Sequence, residues 1–193
     1  VDAQDINRRI TEIFGDEEFV WVTDQPHGPW LVVGKEKARR LAIMLKGDRH
    51  LGFDTLMSLT CVHQLGEPEE LVLVYHLFSM VHRNRLTFKV KLERPVLFPH
   101  FYLRMDTVSD IWPAAGWLER EIYDMFGVRF VGHRDFRRLL LPPDWQGHPL
   151  LKDYREPDVY QGISTTREDV FPEEAASGPS SEPAATPDRG NAT

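Results

Sequence analysis

Apolar positions follow two alternating periods over the first hundred residues. Ile6, Ile10, Ile13 and Phe14 recur at helical spacing, with Asp2 placed to cap the helix and Gly15 to stop it. Residues 19–23 and 30–33 are short runs of β-formers, joined by Gln25-Pro26-His27-Gly28-Pro29, a string of turn residues. Residues 35–46 return to helical spacing with Ala38, Leu41, Ala42 and Leu45 on one face, and Gly47 is placed to end that helix. Three strands then follow over 55–63, 71–80 and 86–92, with His82-Arg83-Asn84-Arg85 as the hairpin between the last two. Helix, strands, helix and again strands predict an α+β fold, a mixed sheet with helices packed on one face.

After Pro99 the pattern changes. Asp106-Thr107-Val108-Ser109-Asp110 offers caps for a short helix that Pro113 interrupts, and 117–126 forms a compact helix closed by Gly127. Residues 128–141 end in the apolar run Leu139-Leu140-Leu141, and 142–149 is loop chemistry throughout. From 171 to 193 the chain is rich in Pro, Ala, Ser and Glu, with Phe171 as its one large apolar residue. Such a stretch buries too little surface to offset its ordering entropy. The expected organisation is a helix–sheet body over 1–105, a loop-rich docking segment over 106–154, and an extended tail over 155–193 that is flexible or held by a partner.

Composition narrows the function classes. The chain has 193 residues, and its 23 Lys and Arg against 30 Asp and Glu leave a net charge of −7. A nucleic-acid partner needs a basic face, so none is expected; an anionic membrane surface is disfavoured on the same ground. Cys61 is the single cysteine, which excludes an intramolecular disulfide and any iron–sulfur cluster ligated by this chain's cysteines alone. No stretch approaches the roughly 18 apolar residues of a membrane helix, so no direct membrane insertion is expected. The opening Val-Asp-Ala-Gln-Asp lacks the basic and apolar character of a signal peptide. A soluble, cytosolic protein is the expectation.

Candidate chemistry is sparse. Val32-Val33-Gly34-Lys35 resembles the end of a phosphate-binding loop, but Pro29 stands where the first glycine belongs and Glu36 where a magnesium-binding hydroxyl belongs. Cys61 and His63 share one strand face, and His133 and His148 flank the loop region, yet no set has metal-ligand spacing. Glu119, Glu121 and Asp124 cluster on the 117–126 helix. Arg120, four residues before Asp124, makes an ordinary helix ion pair the simplest reading, on a solvated face with its acids near the helix N-terminus. Arg129, Arg134, Arg137 and Arg138 follow, among Trp112, Trp117, Tyr123, Phe126, Phe130, Phe136 and Trp145. Arginine with dense aromatics suits a partner-docking surface or an internal network that stiffens a loop-rich segment. Both readings stay open.

Four stretches carry a specific resemblance: Glu119-Arg120-Glu121-Ile122-Tyr123-Asp124-Met125-Phe126-Gly127-Val128; Gly132-His133-Arg134-Asp135-Phe136-Arg137-Arg138-Leu139-Leu140-Leu141; Trp145-Gln146-Gly147-His148-Pro149-Leu150; and Lys152-Asp153-Tyr154. Together they resemble the motif of the 30 kDa (C) subunit family of proton-pumping NADH:quinone oxidoreductase, respiratory complex I. The resemblance implies a subunit of the peripheral arm without catalytic, cofactor-binding or metal-binding residues of its own. FMN, iron–sulfur clusters and quinone are then implied on partner subunits, namely the 49 kDa (D) subunit and neighbouring iron–sulfur subunits. It also implies the cytoplasmic face of a bacterial inner membrane, or the matrix side in a mitochondrion. Glu119, Arg120, Glu121, Tyr123, Asp124, Phe126, Gly127, His133, Arg137, Arg138, Trp145, Gly147, His148, Pro149, Lys152, Asp153 and Tyr154 carry over as structural or interfacial residues. Leu151 stands where the family usually has Arg, and Arg155 where it usually has Pro. The alternatives are the equivalent subunit of a membrane-bound hydrogenase or other-donor quinone reductase and, more remotely, a free-standing hydrolase using Glu121 and Asp124.

Overall fold

The computed structural model describes residues 3–15, 19–23, 28–94 and 103–165. The Asp2 cap, positions 25–27 of the first turn and the 171–193 tail lie outside the described residues. The chain divides into two compact units, Val1–Arg155 and Glu156–Thr193.

In the first unit, helix α1 (Ala3–Phe14) precedes strands β1 (Phe19–Val22) and β2 (Trp30–Val33) and helix α2 (Lys35–Gly47). Strands β3 (Thr55–Gln64), β4 (Glu70–Ser79) and β5 (Asn84–Glu93) complete a five-stranded sheet of order β1-β2-β5-β4-β3. Only the β2–β5 pair is parallel, which makes the sheet mixed. Register follows the alternation: Leu31 lies opposite Phe88, Phe88 opposite Tyr75, and Tyr75 opposite Leu59, all on the buried face. The Tyr75 and Phe88 rings stack at 4.3 Å. A β-bulge between Leu56 and Ser58 turns Met57 outward, so Leu56 and Leu59 both face the core despite their odd spacing. The helices cover this face, as expected of the α+β class, with Leu41, Ala42 and Leu45 of α2 fully buried.

Helix α2 does not stop at a left-handed glycine. Gly47 is its last residue, and the N–H of Asp48 bonds back to the Met44 carbonyl. The hairpin turn spans residues 80–83, two positions ahead of the expected one, with Arg83 at φ 54°.

The short helix expected after Asp106 is absent; turns fill 109–111 and 113–114. Helix α3 (Ala115–Phe126) begins two residues before the expected start, with no side-chain cap and no acid in its first turn. Flanking it are strands β6 (Arg104–Asp106) and β7 (Arg129–Val131), paired in parallel. Their inward residues, Met105 and Phe130, join the sheet's core, as do Trp112, Ile122 and Phe126. The 1–105 and 106–154 segments therefore share one hydrophobic core. Leu151, one of the two departures from the motif, is buried in it.

In the second unit the described residues hold a two-stranded hairpin, β8 (Val159–Tyr160) and β9 (Ile163–Ser164), near the start of the expected tail. Gln161 and Gly162 form its turn, both at positive φ, which matches the right-handed strand twist. No helix among the described residues is long and apolar enough to cross a membrane.

Candidate functional site

Helix α3 sets the geometry of the motif. Ala115, Glu119, Ile122 and Phe126 recur at spacings of four, three and four, the stripe that faces the core. Glu119 is thus buried among apolar neighbours rather than solvated. One of its oxygens accepts the Thr107 hydroxyl at 2.5 Å, the other the Val108 N–H at 2.7 Å. Burial pushes its carboxyl up to about 7, against the two donors, which favour the ionised form. His133 stands 4.0 Å away, but its Nε2–H donates to the Gly116 carbonyl at 2.9 Å and its Nδ1 accepts the Asp135 N–H at 3.2 Å.

Arg120 and Asp124 do not form the expected ion pair. Both are buried, and each reaches the irregular stretch that follows β7. That stretch makes no helix or strand over 132–141, so its backbone groups need other partners. Arg120 supplies donors: Nε bonds the Arg137 carbonyl at 3.0 Å and Nη2 the Arg138 carbonyl at 3.2 Å. Asp124 supplies acceptors: one oxygen takes the N–H groups of Leu139, Leu140 and Leu141 at 3.1, 2.7 and 2.9 Å. Its other oxygen takes Arg138 Nη1 at 2.7 Å. Burial alone would raise this carboxyl; the three N–H groups and the guanidinium outweigh it and hold the pKa below the usual carboxylate range. A cation and an anion one helical turn apart therefore clamp the backbone of five consecutive residues, 137–141.

The remaining motif residues extend the clamp. Arg138 Nη2 donates to the Gly147 carbonyl at 3.1 Å, and buried His148 donates Nδ1–H to the Asp124 carbonyl at 3.0 Å. Burial lowers the His148 pKa, which favours the neutral ring. Gly127 closes α3 at φ 78°, and Phe126 fills the core. Tyr123 packs on Phe136 at 4.5 Å. Gly147 sits at φ 80°, where a Cβ would fall 2.9 Å from the Tyr154 ring. Tyr154 accepts the Trp145 indole N–H at 3.0 Å, and half-buried Pro149 lies between His148 and exposed Leu150. Lys152 donates its backbone N–H to His63 Nδ1 at 2.9 Å, and Asp153 pairs with Arg94 at 2.7 Å.

Of the ionisable residues carried over from the motif before position 152, only Glu121 and Arg137 are plainly exposed. The Arg137 side chain bonds Asp135 through two contacts of 2.6 and 3.0 Å and, among the described residues, nothing else. Glu121 and Asp124 do not share a solvent-facing site. Cys61 and His63 do share a face, but the thiol is buried with its pKa pushed up to about 12, and His63 Nε2 is bonded to Glu69. Among the described residues, no three His, Cys, Asp or Glu gather as a metal site requires.

Several anchoring residues were not legible. Arg39 of α2 grips Asp110 at 2.7 and 2.8 Å and donates to the Thr107 carbonyl, while Lys46 donates to the Ile111 carbonyl. Arg94 bridges Glu69 and Asp153. Arg39 and Lys46 lie on α2 and Arg94 just past the end of β5, and nothing in local spacing marks their distant partners. Glu119 was findable, because it falls on the apolar stripe of its own helix.

The family model described as the 30 kDa subunit of respiratory-chain NADH dehydrogenase matches residues 31–159, more than half of the chain and all of the clamp. The chain belongs to this family. The C subunit of NADH-quinone oxidoreductase from Trichlorobacter lovleyi is 34% identical over 152 residues, 78% of this chain and 90% of that protein. The C/D subunit of NADH-quinone oxidoreductase from Nitrosospira multiformis is 36% identical over 172 residues, 79% of this chain but 27% of that longer protein. Among solved structures, a chain of the membrane-bound sulfane sulfur reductase, an archaeal respiratory membrane complex, aligns with a TM-score of 0.54. It is 28% identical, over 67% of this chain and 71% of that one.

Proposed function

We propose that this 30 kDa family member is a non-catalytic assembly subunit of the peripheral arm of respiratory complex I, supporting electron transfer from NADH to quinone coupled to proton translocation. One observation carries the non-catalytic part: the groups suited to acid–base work are committed to holding the fold. Asp124 accepts four donors, Glu119 two, and His148 donates to a backbone carbonyl. FMN, iron–sulfur clusters and quinone belong to partner subunits on this reading. The C/D relative, in which the matching stretch is 27% of the length, supports a D-type subunit as direct neighbour, with iron–sulfur subunits beside it. The complex would sit at the cytoplasmic face of a bacterial membrane, or the matrix side of a mitochondrial one, with this chain at its periphery.

The test is purification of the intact complex through a tag on this chain. A D-type subunit, iron–sulfur subunits and NADH:quinone activity are expected together; their absence contradicts the reading. The archaeal neighbour favours a second reading, the equivalent subunit of a related membrane complex with another electron donor. Co-purification of D-type and iron–sulfur partners without NADH-oxidising subunits selects it.

A further inference from the structure

A surface groove of about 550 Å³ opens beside α3, lined by Asp110, Trp117, Arg120, His133, Arg134 and Arg137, with Pro113 at its edge. Its walls are unevenly charged. Arg120 forms part of it, held by loop carbonyls and lying 5.1 Å above the Trp117 ring. Arg134 is exposed and makes no hydrogen bond or close ion pair among the described residues, though its charge helps hold Asp110 ionised. The Arg137 side chain is 75% exposed and, among the described residues, bound only to Asp135, itself half exposed. Asp110 is gripped from behind by Arg39. Among the groove's lining residues three guanidiniums, of Arg120, Arg134 and Arg137, stand against the two carboxylates of Asp110 and Asp135, a local positive excess on a chain whose net charge is −7.

Trp117 adds an apolar anchor. It is 63% exposed, on a helix whose opposite stripe fills the core. Exposed tryptophan beside arginine is the composition of binding hot spots, and clustered positive charge in a cleft attracts anionic groups. A small anion would leave Trp117 in water. An extended peptide would cover the indole while its carboxylates meet Arg134 and Arg137.

We propose that this groove docks an acidic, extended segment of the D-type partner, its carboxylates on Arg134 and Arg137 and an apolar residue on Trp117. This rests on the assembly role proposed above. The clamp gives the surface its stiffness, because Arg120 fixes the Arg137 and Arg138 carbonyls.

The experiment places a photo-crosslinking amino acid at Arg134 of the tagged full chain, with Lys91 on the sheet as control position, and maps adducts in the purified complex by mass spectrometry. An adduct from position 134, and none from 91, to an acidic segment of the D-type subunit is expected. In parallel, Trp117→Ala with Arg134→Glu should lower recovery of that subunit about tenfold, with the isolated chain melting at the wild-type temperature. Adducts to this chain itself or to a segment lacking acids, no adduct, or unchanged recovery overturn the inference and leave the assembly role standing. Failure of the wild-type chain to recover any D-type subunit overturns both.

Discussion

Replacing Asp124 by Asn keeps the side chain's shape and removes its charge, so the outcome reports on the clamp rather than on a cavity. Three backbone N–H groups at 2.7–3.1 Å share one oxygen, and Arg138 takes the other at 2.7 Å. An amide has one acceptor oxygen. Whichever way it turns, its NH2 faces either Arg138 or the N–H groups of Leu139–Leu141, donor against donor. The Asp124 side chain is 0% exposed and that of Arg138 15%, so water compensates little. Breaking a buried charged pair by removing one partner costs about 3–5 kcal/mol. Urea unfolding of the isolated chain, followed by tryptophan fluorescence, should show that loss as a midpoint roughly 2 M lower, for a slope of about 2 kcal/mol/M. Hydrogen exchange should localise it, with the amides of 139–141 losing protection before the sheet does. Because the folded pKa is depressed, the wild-type contribution is whole above the ordinary carboxylate pKa and is lost as pH falls through the folded value. The Asn variant should lack that acid-induced loss. A change below about 1 kcal/mol, or unaltered exchange at 139–141, would refute the clamp, since that is what an exposed substitution such as Glu121→Gln should give.

Glu119 has the opposite sign: its folded pKa, about 7, lies above the ordinary 4.5, so wild-type stability should fall as pH rises between those values and level off above. Glu119→Gln should flatten that slope, which melting curves at pH 5 and pH 8 will show; parallel profiles would contradict it. Gly147→Ala should destabilise the chain by about 1–3 kcal/mol, through positive φ and a Cβ against Tyr154, measured by thermal unfolding. Arg137→Glu should leave the isolated chain within about 0.5 kcal/mol of wild type, its one partner being exposed, yet reduce its incorporation into the complex. Loss of folding with normal assembly of what stays soluble would reverse that assignment.

The fold was legible where periodicity runs long. The ten-residue strands β3, β4 and β5 and helix α2 lie close to where alternation and helical spacing place them, because one buried face dictates their pattern. Strands β6 and β7 have three residues each, too short to carry a period, and exist because α3 and the core bring them together. The motif showed which family the chain resembles, but local spacing misjudged what its charges do. Residues 120 and 124 are neighbours on a helix, which suggested a pair, yet the unpaired backbone of 137–141 claims both. Leu139-Leu140-Leu141, conspicuous as an apolar run, matters here for its three N–H groups. Such partnerships depend on a loop's return path, which no local pattern encodes.

As proposed, this chain builds and holds an interface while cofactor chemistry belongs to its neighbours. This role is tested most directly by purifying the complex through this chain, then dissociating it and assaying each subunit for flavin and iron. One copy of this chain per D-type subunit, activity only in the assembled complex, and FMN and iron confined to other subunits are expected. Flavin or iron retained by this chain, or recovery of the chain free of any D-type and iron–sulfur partner, would contradict it.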